Sequence, residues 1–456
     1  MKEILYKQKS SYEIMSDDEI QNAYSFCEGY KKFLDNSKTE RMATKTLIEY
    51  ATKNGFKKFE YGKKYSAGDK IYLNNRNKSV ILAVIGEKSL EEGVCISAAH
   101  IDCPRIDLKP NPLYEDSGFA FFKTHYYGGI KKYQWPTIPL AIHGVVCKID
   151  GETVEINIGE DQNDPIFYIS DLLPHLASEQ MKRPMNEAIP AETLNIIVGT
   201  RPLDGEGSDK IKENIMKLLN EKYGITERDF SCAELSAVPV YKARDVGFDR
   251  SLIAAYGHDD RVCAYSQLSA ILDFDIPQKT IITIFSDKEE TGSDGNTGLQ
   301  SNFFYDFIYE VCENAGANPR KTLANSKCLS ADVNASFDPD YGEVFEKKNA
   351  SFINNGVVLT KYTGARGKGD TSDASAEYVS HVARAFEKGG VQWQIAELGK
   401  TDAGGGGTVA KYIANLNIDT VDIGVAVISM HAPYEVVSKT DVYMTYKAVK
   451  SFFEFI

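Results

Sequence analysis

The sequence predicts an α/β protein that carries a strand-rich insertion. After Asp245, apolar β-branched segments alternate with amphipathic helical segments, which is typical of an open α/β sheet. Between residues 105 and 240, short strands are separated by Gly, Pro and Asp turns, with one clear helix near 211–223. At 456 residues the chain is too long for one ordinary core. We therefore predict one domain formed by residues 1–104 and 241–456, and an inserted second domain formed by residues 105–240.

The composition excludes several classes of partner. An apolar share of 43% and a charged share of 26% are ordinary for a globular protein. The net charge of −13 argues against a nucleic-acid partner, since there is no basic stripe to neutralise phosphates. No segment approaches ~18 uninterrupted apolar residues, so we expect no membrane span. Eight cysteines without a Cys-x-x-Cys pair, and no apolar run of signal-peptide length, favour reduced thiols and a cytoplasmic location.

Local patterns predict where several elements begin and end. Three patterns of the capping type are expected to open helices, namely Ser16-x-x-Glu19, Ser37-x-x-Glu40 and Ser438-x-x-Asp441. Apolar runs over 80–85 and 94–98 predict buried strands of the sheet, and residues 144–154 predict one alternating strand of the insertion.

Two adjacent glutamates follow a buried strand at the centre of the chain. The strand Ile281 to Phe285 stops at Ser286, and Glu289 and Glu290 come directly after it. At a strand's carboxyl end neighbouring side chains point in different directions, so one glutamate can bind a metal while the other faces a water. A bare Glu-Glu pair is usually a solvated acidic turn, so this pattern needs support from the rest of the chain.

Four further segments of the same kind supply that support. They carry His100, Asp259, Asp332 and His431, each at or near the end of a predicted strand or the start of a helix. Singly, such residues are more often structural histidines or helix caps. Together with Glu290 they match the nitrogen and oxygen ligands of zinc, manganese or cobalt. With Asp259 as a bridge, each of two metals would have three protein ligands, as in two-metal hydrolytic sites.

Five segments carry a resemblance to a known family. They are Ala99-His-Ile-Asp102, Asp259-Asp-Arg261, Asp287-Lys-Glu-Glu290, Ser330-Ala-Asp-Val333 and Met430-His-Ala-Pro433. In order and spacing the chain resembles the M18 family of metalloaminopeptidases over nearly its whole length. Two segments of the insertion, Tyr127-Gly-Gly-Ile130 and Pro174-His-Leu-Ala177, are similar to that family as well.

The resemblance implies a three-layer metallopeptidase domain with a central mixed sheet, and an inserted dimerisation domain. It implies two divalent ions per subunit, zinc first, with manganese or cobalt as alternatives. The implied roles are His100 and Asp332 on one ion, Glu290 and His431 on the other, Asp259 as the bridge, Glu289 as general base and Asp102 as the carboxylate that orients the histidine. A cis peptide between Asp259 and Asp260 is implied too.

The resemblance also implies assembly. Family members with this insertion form tetrahedral dodecamers, built from dimers, that enclose the active sites. His175, in the insertion, matches a histidine that reaches the neighbouring subunit's pocket, where it would donate a hydrogen bond to the oxyanion.

The substrate pocket departs from one branch of the family. Acid-selective members carry a lysine in the strand matching 357–361, where this chain has Thr360, with Lys361 one place later. A slip of one residue turns a strand side chain to the other face, so the resemblance does not establish an acidic preference, and the sequence leaves the preferred N-terminal residue open. The Gly404 to Gly407 run, which includes Gly405, indicates the aminopeptidase I branch.

Three functions remain open from the sequence. The first is an aminopeptidase that acts on peptides with a free N-terminus, through a metal-bridged water and Glu289. The second keeps the site but makes the protein a dinuclear deacylase or a carboxypeptidase. The third is a non-catalytic oligomeric scaffold with structural metals, which the spare Glu289 argues against.

Overall fold

The computed structural model describes residues 4–456. The chain forms two compact units. Unit 1 contains residues 4–102, 243–430 and 435–456, and unit 2 contains residues 103–242 and 431–434.

The helices, in chain order, are α1 Ser11–Ile14, α2 Asp17–Asp35, α3 Glu40–Lys53, α4 Met185–Ala188, α5 Lys210–Tyr223, α6 His258–Leu272, α7 Phe303–Ala315, α8 Pro319–Asn325, α9 Ala376–Lys388, α10 Ala410–Ala414 and α11 Lys439–Phe455. The strands are β1 Lys57–Lys58, β2 Lys70–Asn75, β3 Ser79–Val84, β4 Cys95–His100, β5 Arg105–Asp116, β6 Phe119–Tyr127, β7 Leu140–Cys147, β8 Thr153–Ile158, β9 Tyr168–Ile169, β10 Ile196–Gly199, β11 Ala233–Pro239, β12 Arg244–Val246, β13 Leu252–Ala255, β14 Ile281–Ser286, β15 Lys327–Ala331, β16 Asn334–Ala335, β17 Val357–Thr360, β18 Trp393–Ile395, β19 Asp419–Gly424, β20 Ala426–Ile428 and β21 Glu435–Ser438.

Unit 1 is built on a nine-stranded mixed sheet in the order β1-β2-β3-β14-β4-β15-β19-β17-β18. Strands β14, β4, β15 and β19 run parallel, because β4 pairs in parallel with both β14 and β15, and β15 with β19. Alternate residues of β3 enter two different cores: Val80 and Leu82 pack with helices α2, α3, α6, α9 and α11, whereas Ile81 and Ala83 pack with α7, α8 and α10. Helices therefore cover both faces, and the predicted α/β class with a central mixed sheet is confirmed.

A smaller five-stranded sheet in unit 1 has the order β12-β13-β21-β20-β16. Strand β13 runs directly into the start of α6, through Gly257 at φ 80°. Glycine has no Cβ and adopts a positive φ readily, so Gly257 allows the sharp change of direction between strand and helix.

Unit 2 contains a seven-stranded sheet in the order β8-β7-β11-β5-β6-β10-β9, and every pairing in it is antiparallel. The prediction of one strand over 144–154 is wrong. Residues of that range belong to two strands, β7 and β8, which form a hairpin. Apolar and polar residues alternate in the same phase in both strands, which made them resemble one strand. The turn between them is marked by Asp150-Gly151, with Gly151 at φ 95°.

The capping pattern at Ser16 is confirmed, since the Ser16 hydroxyl accepts from the Glu19 N–H and the Glu19 carboxylate accepts from the Ser16 N–H. The one at Ser37 is wrong. Helix α3 begins at Glu40, and Thr39 caps it by accepting from the Met42 N–H. The Ser37 N–H still donates to the Leu34 carbonyl, so Ser37 belongs to the turn that ends α2.

The last helix begins as expected, with the Ser438 hydroxyl accepting from the Thr440 N–H. The Asp441 carboxylate makes its hydrogen bonds to a loop. It accepts the N–H groups of Asn354 and Gly356, both at 2.8 Å, and so holds the loop before β17 against α11. Burial raises the pKa of Asp441 to about 7, although these two N–H groups oppose the shift. Within residues 4–456, every helix is too short or too polar to cross a membrane.

Candidate metal centre

Three neighbouring parallel strands of the nine-stranded sheet end in residues with metal-binding atoms. Strand β4 ends at His100, which lies opposite Ser286 at the end of β14. Glu289 and Glu290 follow β14, and Asp332 follows β15 on the other side of β4. Because carboxyl ends of parallel strands meet at one edge of a sheet, these side chains gather there.

The two glutamates lie in a tight 3-10 turn, Glu289–Thr291, and their backbone is held by Asp102. One carboxylate oxygen of Asp102 accepts from the Glu289 N–H and the other from the Glu290 N–H, each at 3.2 Å. Lys288 at φ 67° and Gly292 at φ 89° bound the turn. Asp102 is fully buried, so these charge-assisted bonds fix the position of both glutamates.

The His100 ring is buried and has distinct surroundings at its two nitrogens. Nδ1 donates to the Asp102 carbonyl oxygen at 3.0 Å and lies 3.4 Å from the Asp102 carboxylate. Nε2 faces Asp259 Oδ1 at 3.1 Å, and Glu289 Oε2 and Asp332 Oδ1 at 3.8 Å each. A histidine whose Nδ1–H is engaged presents the Nε2 lone pair to a cation.

The charge balance around His100 favours a cation. Burial by itself opposes a charge on the ring, but the carboxylates of Asp102, Asp259 and Asp332 outweigh it and raise the pKa of His100 well above its usual range. Burial, with Asp332 the strongest of the neighbouring charges, raises the pKa of Glu289. Buried carboxylates that disfavour one another's ionisation are stabilised when a divalent ion supplies positive charge.

Asp259 lies at the start of α6, and the Asp259–Asp260 peptide is cis, as the resemblance implies. Its N–H donates to the Glu435 carboxylate at 3.1 Å. The adjacent His258 is a core residue: Nε2 donates to the Ile253 carbonyl at 3.1 Å, and Nδ1 accepts from the Tyr30 hydroxyl at 2.6 Å. Burial lowers the pKa of His258 to about 3, so this ring stays neutral.

Asp332 is positioned by the end of β19. Its N–H donates to the Ile423 carbonyl at 2.9 Å. The next residue, Gly424, comes so close that a Cβ built on it would lie 1.7 Å from the Asp332 carbonyl oxygen. The close approach of these two segments therefore requires glycine at position 424.

Two groups of residues in unit 1 bring ligand atoms within 4.8 Å of one another: His100 with Asp260 and Asp332, and His100 with Glu289 and Glu290. No role was predicted for Asp260, although it stands beside Asp259. Glu435, which is almost fully buried and accepts the Asp259 N–H, was not predicted either. Nothing in its immediate sequence sets Glu435 apart from an ordinary strand residue.

His431 and His175 belong to unit 2. His431 has φ 65°, and its Nδ1 lies 2.8 Å from the Gly129 carbonyl oxygen, to which it donates. His175 is exposed. The roles given to these two histidines by the resemblance stay predictions.

The three residues predicted to bind substrate lie in different environments. Thr360 is buried on β17 and accepts from the Asn334 side-chain amide at 3.3 Å. Lys361 is partly exposed and pairs with Asp373. Gly405 has φ 106°, and a Cβ on it would lie 2.5 Å from the Ala365 backbone. Because Asp373 already balances Lys361, the lysine offers less positive charge to an acidic substrate than its sequence position suggests.

A sequence model of the family described as "Aminopeptidase I zinc metalloprotease (M18)" matches residues 33–453. The chain belongs to the M18 family of metalloaminopeptidases. Among its relatives is the probable M18 family aminopeptidase 1 of Clostridium acetobutylicum, 48% identical over 99% of both chains. The protein of the same description from Thermotoga maritima is 46% identical over 94% of this chain and 96% of its own.

Solved structures agree with this assignment. The crystal structure of an M18 family aminopeptidase from Thermotoga maritima matches this M18 aminopeptidase with a TM-score of 0.95 and 44% identity, over 99% of this chain and 100% of the other. Aminopeptidase I from Borrelia burgdorferi B31 matches with a TM-score of 0.84 and 38% identity, over 98% of this chain and 100% of the other. The S. cerevisiae mApe1 dodecamer shares the fold at 19% identity, with a TM-score of 0.77 over 96% of this chain and 97% of the other.

Proposed function

We propose that this M18 aminopeptidase removes N-terminal residues from peptides at a centre for two divalent ions. His100 and Asp332 would hold one ion and Glu290 and His431 the other, with Asp259 between them. The observation that carries the proposal is the group of three carboxylates around His100 Nε2, those of Asp259, Glu289 and Asp332, with Asp259 nearest at 3.1 Å. Imidazole nitrogen and carboxylate oxygen are ligands that zinc prefers, and manganese or cobalt would fit the same donors.

When bound, two such ions would act as Lewis acids toward the scissile carbonyl and lower the pKa of a water molecule. Glu289 would then handle the proton. Its side chain is 17% exposed, so its carboxylate can reach a substrate from the buried edge of the sheet. It would take the proton from the attacking water and pass it to the nitrogen of the leaving amine.

Asp102 would keep Glu289 in place during this transfer, because it binds the Glu289 N–H rather than the side chain. The Glu289 carboxylate therefore remains available as a base while its backbone is fixed. The same carboxylate lies beside His100 Nδ1, so one buried group would orient both a ligand and the base.

We propose that the protein works as a homo-oligomer, a tetrahedral dodecamer built from dimers through unit 2. The segment that holds His175 exposes Leu172, Leu173 and Leu176, with 50–68% of each residue accessible in the single chain. A row of exposed leucines supports burial against a second copy. His175 would then donate a hydrogen bond to the oxyanion in the neighbouring subunit.

Adjacent glutamates provide a matched test of the centre. Glu289→Gln should retain both metals but lose ~10²–10⁴-fold in kcat, since it removes the general base. Glu290→Gln should instead lose metal affinity, because it replaces a ligand. Metal content by mass spectrometry and kcat with aminoacyl-chromophore substrates separate the two. Equal metal loss in both variants, or a Glu289→Gln rate above a tenth of wild type, would contradict the assignment.

The substrate class is tested with one peptide in two forms. An aminopeptidase should cleave the peptide with a free N-terminus and leave the N-acetylated form intact. Cleavage of the acetylated form at the N-terminal bond would favour a deacylase, and release of the last residue would favour a carboxypeptidase. No turnover of either form with Zn²⁺, Mn²⁺ or Co²⁺ would favour a scaffold with structural metals.

A further inference from the structure

Unit 2 places two exposed cysteines at the same end of two paired strands. All eight cysteines are free thiols, and six of them are buried. The two exposed ones are Cys147, the last residue of β7, and Cys232, which immediately precedes β11. They are 85 residues apart in sequence, from 232 − 147, so nothing in the local sequence connects them.

The pairing of the two strands ends immediately beside both cysteines. Strands β7 and β11 are antiparallel, and their pairing ends with Val146 opposite Ala233. Cys147 and Cys232 are the next residues along the two segments, with Cys232 in the 3-10 helix that precedes β11. Directly opposed residues such as Val146 and Ala233 have Cα atoms about 4.5–5.5 Å apart. Each cysteine is the chain neighbour of one member of that pair, and a disulfide needs a Cα separation of about 4.4–6.8 Å, so the two cysteines are close enough to be joined by a small backbone adjustment.

A contact beyond the ladder holds the same two segments together. Cys232 ends a 3-10 helix, Glu227–Cys232, and Asp229 of that helix accepts from the Ile149 N–H at 3.1 Å. The two cysteines are therefore bracketed, by the strand pairing on one side and by this hydrogen bond on the other.

Each of the two sulfur atoms has a hydroxyl group beside it. Thr153, which lies opposite Cys147 on β8, donates its hydroxyl hydrogen to Cys147 Sγ at 3.6 Å. The Ser231 hydroxyl lies 3.8 Å from Cys232 Sγ. Both cysteines are exposed and therefore accessible to small oxidants, in contrast to the six buried cysteines.

We propose that Cys147 and Cys232 are a reversible oxidation site that closes to a cross-strand disulfide. The co-reactant is a low-molecular-weight disulfide such as oxidised glutathione. The thiolate of one cysteine attacks it, forming a mixed disulfide and releasing one glutathione thiolate. The second cysteine attacks the protein sulfur of that mixed disulfide and releases the second glutathione. Two protein thiols are oxidised and one small disulfide is reduced to two thiols.

The disulfide would tie the end of β7 to the start of β11 and enclose the whole segment between them, including β8, β9, β10 and α5. A cross-link over so long a segment restricts the unfolded chain. Oxidation should therefore raise the thermal stability of unit 2, and reduction should reverse the rise.

The test incubates the metal-loaded, full-length protein with glutathione mixtures of increasing oxidised fraction. Free thiols are then alkylated and the protein is mapped without reduction. We expect two of the eight thiols to be lost together, with a peptide pair that links Cys147 to Cys232. Cys147→Ser and Cys232→Ser should each lose the link and retain one glutathione on the remaining exposed cysteine. A wild-type sample unfolded in urea is the control that all eight thiols can react.

Three outcomes would overturn the proposal. The first is glutathione on both cysteines of the wild type without a link between them. The second is a link from either cysteine to a buried one, and the third is a disulfide between two chains on a non-reducing gel. Since both serine variants replace exposed residues, their folding can be checked independently by their thermal unfolding in the reduced state.

Discussion

Replacing Asp102 with asparagine tests how one buried carboxylate organises the metal centre. In the native protein its two oxygens accept from the N–H groups of Glu289 and Glu290, both at 3.2 Å, while His100 Nδ1 lies 3.4 Å away. Asparagine has nearly the same shape but a single acceptor oxygen. One glutamate N–H would lose its partner and face an NH₂ group instead.

The size of the effect follows from the bonds removed. A hydrogen bond to a charged group contributes about 1.5–3 kcal/mol, which corresponds to roughly 10- to 150-fold in an equilibrium constant. The change weakens the turn that carries Glu290, the proposed metal ligand, and Glu289, the proposed base. It also removes the negative charge beside His100 Nδ1. We therefore expect metal affinity to fall by about 10–100-fold, the range found when partners of ligating residues are removed.

The assay is a competition between the protein and a chelator for Zn²⁺, followed by kcat and KM at saturating metal. Asp441→Asn is the matched control, because Asp441 is also buried and also accepts two backbone N–H groups. It should leave metal affinity unchanged. If Asp102→Asn binds metal as tightly as wild type, or if Asp441→Asn weakens binding equally, Asp102 does not act on the centre as described.

Three further predictions concern pH, assembly and packing. The folded pKa of Asp441, about 7, exceeds the unfolded value of about 3.9, so the folded state retains a proton that the unfolded state releases. Stability therefore falls as pH rises from about 4 to about 7 and is then level, and the Tm of Asp441→Asn relative to wild type should rise across that window; a constant difference would refute the shift. Mixed oligomers of His175→Ala and Glu289→Gln subunits should regain activity that neither parent has, and hybrids with proven subunit exchange that stay inactive would exclude a role in trans. Gly424→Ala should reduce metal content and thermal stability, because its Cβ would displace the Asp332 carbonyl; native metal content at full stability would show that the strand end relaxes freely.

The sequence could predict which residues with metal-binding atoms lie close together in unit 1, because their positions follow from where the strands end. His100 ends an apolar strand, and Glu289, Glu290 and Asp332 follow the ends of two others; the carboxyl ends of parallel strands share one edge of a sheet. The capping pattern predicted the start of a helix correctly where a single hydroxyl side chain was available as the cap, as in the reciprocal hydrogen bonds of Ser16 and Glu19. They failed where two hydroxyls compete for the same role, as Ser37 and Thr39 do at the start of α3.

Only the tertiary structure decided which strands are neighbours and what fills the space between them. The order β14-β4-β15 aligns His100 with Ser286, and it is this register that brings the Asp102 carboxylate under both glutamate N–H groups. Glu435 reaches Asp259 across 176 residues, and the pairing of β7 and β11 brings together Val146 and Ala233, the neighbours of Cys147 and Cys232. Such contacts depend on long-range pairing, and a local pattern carries no information about the partner strand. The sequence therefore determines the chemistry available at each strand end, and the fold determines which of those groups meet.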